Sequence, residues 1–119
     1  MTTPASVVGG ATFDLATAER ELRQEENYAR NGHAARTLIV QPDLRIVLVV
    51  MRAAGRIAKH RVDQTASIHA LKGQLRLQLD DKAFDVPAGQ LLVLEAGLPH
   101  DVEAVAESAF LLTLGWSKA

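Results

Sequence analysis

Apolar and polar residues alternate in short runs from about Arg36 to the C-terminus. The clearest run is QLRLQLD, in which Leu75, Leu77 and Leu79 alternate with polar residues. This period of two is typical of a strand with one face in the core and the other in water. Residues that favour turns separate the runs, and the predicted strands are RTLIVQ, LRIVLVVMRA, ASIHAL, QLRLQLD, KAFDV, QLLVLE, HDVEAV and SAFLLTLGW. Short strands with tight turns predict an all-β barrel or sandwich rather than alternating βαβ units.

One helix is predicted before the strands, in DLATAERELRQEENYARNG, residues 14–32. Asp14 can cap its N-terminus, and Asn31-Gly32 offers a left-handed stop. The apolar stripe of this helix is thin, so we expect the helix to lie on the surface of the domain. Residues 1–12 are small and polar and predict a flexible tail. The chain is accordingly divided into a tail (1–12), a helix with its connection (13–35) and a barrel (36–119).

The segment from Ile46 to Met51 departs from the alternation, because none of its residues is polar. Both faces of this strand must then be covered. The barrel interior accounts for one face, and the other needs the N-terminal helix, a second copy of the chain or the strand's own loops. Because the helix has so thin a stripe, we predict a homodimer whose interface includes the outward-facing side chains of residues 44–53.

The composition is that of an ordinary globular domain. Of the 119 residues, 48% are hydrophobic and 23% are charged, and the formal net charge is −1. No basic face is evident, so we expect no nucleic-acid partner. The longest apolar run is too short for a membrane span, and the N-terminus lacks the regions of a signal peptide. There is no cysteine, which excludes disulfides and thiolate metal sites. We expect a cytoplasmic protein that does not associate with membranes.

Two histidines and three glycines have the spacing of two known motifs. His60 and Gly73 take the first and last positions of H-x-H-x3-E-x6-G, and Gly89, Gly97 and His100 fit G-x5-P-x-G-x2-H. Over residues 44–116 the chain therefore resembles the cupin superfamily. The resemblance implies an RmlC-like double-stranded β-helix, that is, a jelly-roll barrel, here with one N-terminal helix.

The resemblance also implies that a cupin metal site consists of three histidines and a glutamate. Here valine and alanine occupy positions 62 and 66, where the second histidine and the glutamate would stand. Two imidazoles alone fall short of the facial triad that non-haem iron needs. We therefore expect a degenerate metal site and no cofactor. If a transition metal binds at all, His60 and His100 need a further ligand, for which Gln64 and Glu95 are the candidates.

For four other side chains near the expected site, the sequence supports only a general interpretation. Arg45, Arg52 and Arg61 flank the strands of the expected cavity, and we expect them to be solvated or to form interface salt bridges, with anion binding as the alternative. His69 is out of phase with the inward positions 66, 68 and 70 and is expected to point away from the cavity.

We hypothesise that the barrel mouth binds a small organic molecule without a metal, in a sensor, carrier or accessory role. The expected contact residues are His60, His100, Val62, Gln64, Ala66 and Ile68. Two alternatives stay open. One is an enzyme, either a metal-dependent oxygenase or isomerase with an improvised ligand set, or an epimerase-like catalyst with His60 as base. The other is a dimeric interaction module whose cavity is filled by side chains.

Overall fold

The computed structural model describes residues 9–115, in which two helices precede nine strands. The helices are α1 (Leu15–Arg23) and α2 (Glu26–Asn31). The strands are β1 (His33–Gln41), β2 (Leu44–Met51), β3 (Arg56–His60), β4 (Ala66–Lys72), β5 (Gln74–Gln78), β6 (Ala83–Pro87), β7 (Leu91–Leu94), β8 (His100–Ala104) and β9 (Ser108–Gly115). The predicted barrel boundary at residue 36 falls inside β1. Most of the predicted tail, residues 1–8, and the last residues, 116–119, lie outside the described part.

The strands form two antiparallel sheets that enclose the core. The five-stranded sheet has the order β1-β2-β9-β4-β7, and the four-stranded sheet has the order β3-β8-β5-β6. Several neighbours, such as β2 with β9 and β3 with β8, are far apart in sequence, because the chain crosses repeatedly from one sheet to the other. This is the jelly-roll arrangement, and the prediction of an all-β jelly roll is confirmed.

Alternating apolar side chains fill the space between the sheets. On β5 the pattern is the predicted one: Leu75 and Leu77 have no exposed surface, whereas Arg76 and Gln78 are exposed. Met51 in the facing sheet is likewise fully buried in the same apolar cluster. Burial of one such side chain stabilises the fold by about 1.5–3 kcal/mol, so this layer is a major source of stability.

The helical segment consists of two helices that are separated at Gln24-Glu25, rather than the one helix that the sequence predicts. Asp14 is the N-cap of α1, as predicted. Its carboxylate accepts a hydrogen bond from the Thr17 N–H at 3.0 Å, and this bond lowers the pKa of Asp14. Gly32 is the C-cap of α2, again as predicted. Within residues 9–115, neither helix has the length or apolar character needed to cross a bilayer.

Helix α1 packs on the outer face of the five-stranded sheet and covers β2. Leu22 of α1 and the outward-facing Leu48 and Val50 of β2 have no exposed surface and belong to one cluster. Val47 packs on the opposite, inner side. The expectation that the apolar stripe of this helix is too thin to cover the strand is therefore wrong for Leu48 and Val50. The small side chain of Ala18, which is buried at the same contact, explains why a thin stripe suffices: it lets α1 approach the sheet closely.

Candidate functional site

His60 and His100 meet at one end of the barrel. His60 ends β3 and His100 begins β8, and the two residues are direct partners in the pairing of these strands. Their ring centroids are 4.5 Å apart, and the ring planes are inclined by 59°. His100 is buried whereas His60 is exposed, so the pair connects the interior with solvent. The structure thus brings the two histidines together, as the motif spacing predicts.

Both rings are held by the same kind of hydrogen bond. Nδ1 of His60 is 2.9 Å from the carbonyl oxygen of Ala58, and Nδ1 of His100 is 2.9 Å from that of Leu98. A carbonyl oxygen only accepts, so each Nδ1 carries a proton and donates it. In the neutral rings each Nε2 is then an acceptor. The pair therefore offers two neighbouring acceptors, which suit ligand groups that donate hydrogen bonds.

The strand registers place further side chains at the level of the two histidines. Arg45 of β2 is the partner of Leu114, Leu114 is the partner of Ala66, and Ala66 is the partner of Leu94. This row lies at the histidine end of the barrel, because the loop 61–65 joins His60 to Ala66. The mouth layer is defined as His60, His100, Arg45, Leu114, Ala66 and Leu94.

The other predicted contact residues occupy different levels of the barrel. Val62 and Gln64 are half-buried in the loop 61–65, and the carbonyl oxygen of Val62 accepts a hydrogen bond from the Gly97 N–H at 2.8 Å. Ala66 is buried within the mouth layer itself. Ile68 lies one inward position deeper and is only 2% exposed within the core. Ile68 is thus the floor beneath the mouth layer, and a ligand at the mouth would lie above it.

The donors at the mouth do not fit the set of three histidines and one glutamate that the sequence resemblance implies. His69 is exposed on β4, outside the barrel, as predicted, and Glu95 is exposed in the turn after β7. Within residues 9–115, no group of three or more histidine, cysteine or acidic side chains could hold a metal ion. Two imidazoles are fewer ligands than structural or catalytic metal sites use.

Two clefts lie on the outer side of the five-stranded sheet. One, of about 240 Å³, lies between α1 and β1, and the other, of about 530 Å³, lies beside β1 and β2. Phe13, which is 45% exposed, lines both. The sequence pattern does not predict these clefts, because they depend on how the segment before α1 lies on the sheet.

A family model described as the cupin domain matches residues 47–114, which is more than half of the chain. The chain belongs to the cupin family. The matched region extends from β2 to β9 and contains both mouth histidines. The resemblance inferred from the two motifs is therefore confirmed.

Solved structures also resemble this cupin. A conserved protein of unknown function from Streptococcus pyogenes is 25% identical, with a TM-score of 0.75 over 100% of this chain and 98% of that chain. An RmlC-like cupin from Desulfovibrio desulfuricans is 19% identical, with a TM-score of 0.66 and 97% of each chain covered. A cupin 2 conserved barrel domain protein from Leptotrichia buccalis is 28% identical, with a TM-score of 0.66 over 71% of this chain and 41% of that chain. No curated protein matches the sequence.

Proposed function

We propose that this cupin binds a small organic molecule at its mouth without a metal ion, as a cytoplasmic sensor, carrier or accessory protein. The observation that supports the proposal is the His60–His100 pair, whose ring centroids are 4.5 Å apart. Because both Nδ1 atoms face backbone carbonyls, the Nε2 atoms are acceptors for hydroxyl, amine or amide groups of a ligand. Burial of His100 strengthens a hydrogen bond at this position, because the local dielectric constant is low.

The proposed ligand occupies the mouth layer and goes no deeper. Ile68 closes the barrel below it, with only 2% of its surface exposed. Ala66, Leu94 and Leu114 make this layer of the barrel aliphatic, and each of them is almost fully buried. Small-molecule sites typically combine such apolar lining with a few polar groups that fix orientation. The arrangement favours a compact ligand with one apolar side and one or more donors.

A thermal-shift screen of small polar compounds tests this proposal. A compound that binds stabilises the native state by about 2.7 kcal/mol when its concentration is about 100-fold above the dissociation constant. The stabilisation should be lost in His60→Ala, which removes an exposed ring and should leave the core intact. The control is Arg52→Ala, which removes an exposed side chain on the connection between β2 and β3. Ligands whose effect survives His60→Ala and His100→Ala would contradict a site at the mouth.

The proposal includes a homodimer, and the surface that supports it is the part of the five-stranded sheet that α1 leaves uncovered. In register order, two outward rows cross this part: Ile46, Thr113, Ser67 and Val93, and beside them Leu111, His69 and Leu91. Ile46 and Leu111 lie at its border and are partly buried against the cluster under α1. Leu91 and Val93 are 61% and 60% exposed. Because these rows contain no aspartate, glutamate, lysine or arginine, two copies can meet about a twofold axis without repulsion between like charges.

A further inference from the structure

Arg45 is the arginine of the mouth layer. On β2 it is in phase with Val47, Val49 and Met51, all of which pack in the core between the sheets. Its side chain therefore leaves the strand on the inner face, and the residue is half-buried. This position differs from the solvated surface that the sequence led us to expect for Arg45.

Strands β2 and β3 bring Arg45 and His60 to the same end of the barrel. The connection 52–55 links the two strands at the opposite end, so β2 begins at the mouth and β3 ends there. The two strands belong to different sheets, and facing sheets pack about 10 Å apart. One small organic molecule can span such a gap and contact a side chain from each sheet.

Asp43, Asp63 and Glu95, which are close to the mouth in sequence, are exposed to solvent, and two further acidic side chains form ion pairs on the outside of the barrel. Asp101 pairs with Arg56 at 3.1 Å, and Asp80 pairs with Lys59 at 2.6 Å. The mouth layer itself combines a guanidinium and two imidazoles with aliphatic side chains and contains no carboxylate. A half-buried cation interacts with an anion more strongly than a fully solvated one does, because the effective dielectric constant is lower.

We infer that the ligand of the mouth is a small hydroxy acid, an inference that rests on the proposed binding function. The carboxylate of the ligand pairs with the guanidinium of Arg45, whose planar fork matches a carboxylate. A hydroxyl group of the ligand donates to Nε2 of His60 or His100. A guanidinium presents five N–H donors, so Arg45 can bind a carboxylate while it also contacts other parts of the protein.

Gluconate and sorbitol are the probes, because they share a polyol chain and differ in the carboxylate. Dissociation constants come from NMR titration of the full chain. For the wild type we expect gluconate to bind at least ~10-fold more tightly, which corresponds to about 1.4 kcal/mol for one charge-assisted contact. Arg45→Gln should remove this preference, and Arg45→Lys should keep part of it. The control is Arg52→Gln, which removes an exposed arginine beyond the other end of the same strand and should change nothing.

The outcomes separate this inference from the proposed function. Equal affinities for gluconate and sorbitol, both lost in His60→Ala, would refute the inference that the ligand carries a carboxylate. The mouth would remain a ligand-binding site. A preference for gluconate that persists in Arg45→Gln would also overturn the role of Arg45. Failure of gluconate to bind at millimolar concentration would overturn the inference, while the compound screen would still decide whether the mouth binds other molecules. The comparison of the two probes on the wild type remains decisive even if Arg45→Gln does not fold.

Discussion

Replacing Val62 with histidine and Ala66 with glutamate should give this cupin a much larger metal response than we expect of the wild type. The two substitutions restore the residue types of the cupin metal motif at the positions that the spacing from His60 defines. The structure places Ala66 in the mouth layer and Val62 in the loop that leads to it. The double variant therefore adds a third imidazole and a carboxylate beside His60 and His100.

The expected magnitudes follow from the burial of Ala66, which is only 2% exposed. Without metal, a glutamate carboxylate there is a buried charge without a matched partner, and we expect the variant to lose about 3–5 kcal/mol of unfolding free energy. With manganese, iron, nickel or zinc at about 1000-fold excess over the dissociation constant, binding returns about 4 kcal/mol. For a chain of this length 1 kcal/mol corresponds to roughly 3–5 °C in Tm, so metal should raise the Tm of the variant by roughly 12–20 °C.

Differential scanning fluorimetry of the metal-free proteins, with each ion added in turn, measures both effects. The wild type should shift by less than about 3 °C, because two imidazoles hold a divalent ion weakly. A wild-type shift as large as that expected for the variant, lost in a His60→Ala, His100→Ala double variant, would show that a substitute ligand such as Gln64 completes a metal site. No metal response in the variant would show that the two restored positions do not converge with the histidines.

Three further predictions concern the fold and its assembly. Leu22→Ala should lower the unfolding free energy by about 2–5 kcal/mol in urea titrations, because it opens a cavity between α1 and the sheet; a loss near zero would mean that α1 contributes little. Gly73→Ala should lower the unfolding free energy by at least about 1 kcal/mol more than Gly89→Ala does in the same assay. Both glycines have a positive φ, but of the two only Gly73 lies where a Cβ atom would overlap with neighbouring atoms. Equal losses would contradict this reasoning. Val93→Lys should raise the dissociation constant of the proposed dimer ~100-fold or more in sedimentation experiments, because it buries an unpaired charge in the interface. The control Val105→Lys, on the β8–β9 turn, should leave the dissociation constant unchanged. A wild type that sediments as a monomer would contradict the dimer.

The parts of the fold that the sequence predicts are those in which side-chain alternation follows burial. Leu75 and Leu77 alternate with Arg76 and Gln78 on a strand with one wet face, so period and structure agree. Strand β3 is not among the predicted strands, because four of the five residues of RIAKH are exposed at the edge of the four-stranded sheet. The local pattern of apolar and polar residues does not predict β3, because this strand is held mainly by its pairing with β8.

Tertiary packing explains the other differences. How far α1 covers Leu48 and Val50 depends on how closely the helix approaches the sheet, which the number of apolar residues in the helix does not reveal. The inward position of Arg45 is hidden for a similar reason, since a charged residue at the start of an apolar strand is usually solvent-facing. Only the register with β9 and the phase with Val47 place Arg45 in the mouth layer. Motif spacing, in contrast, correctly brings His60 and His100 together.

NMR mapping of backbone amides decides whether a small organic molecule binds at the His60–His100 mouth. The ¹⁵N-labelled wild type is titrated with the compound that stabilises it most in the screen. We predict that the perturbed amides cluster at the loop 61–65, at Ala66 and at His100, and that those of the connection 52–55 at the opposite end stay unchanged. Perturbations centred instead on the outer clefts beside Phe13, with the mouth amides unaffected, would contradict it.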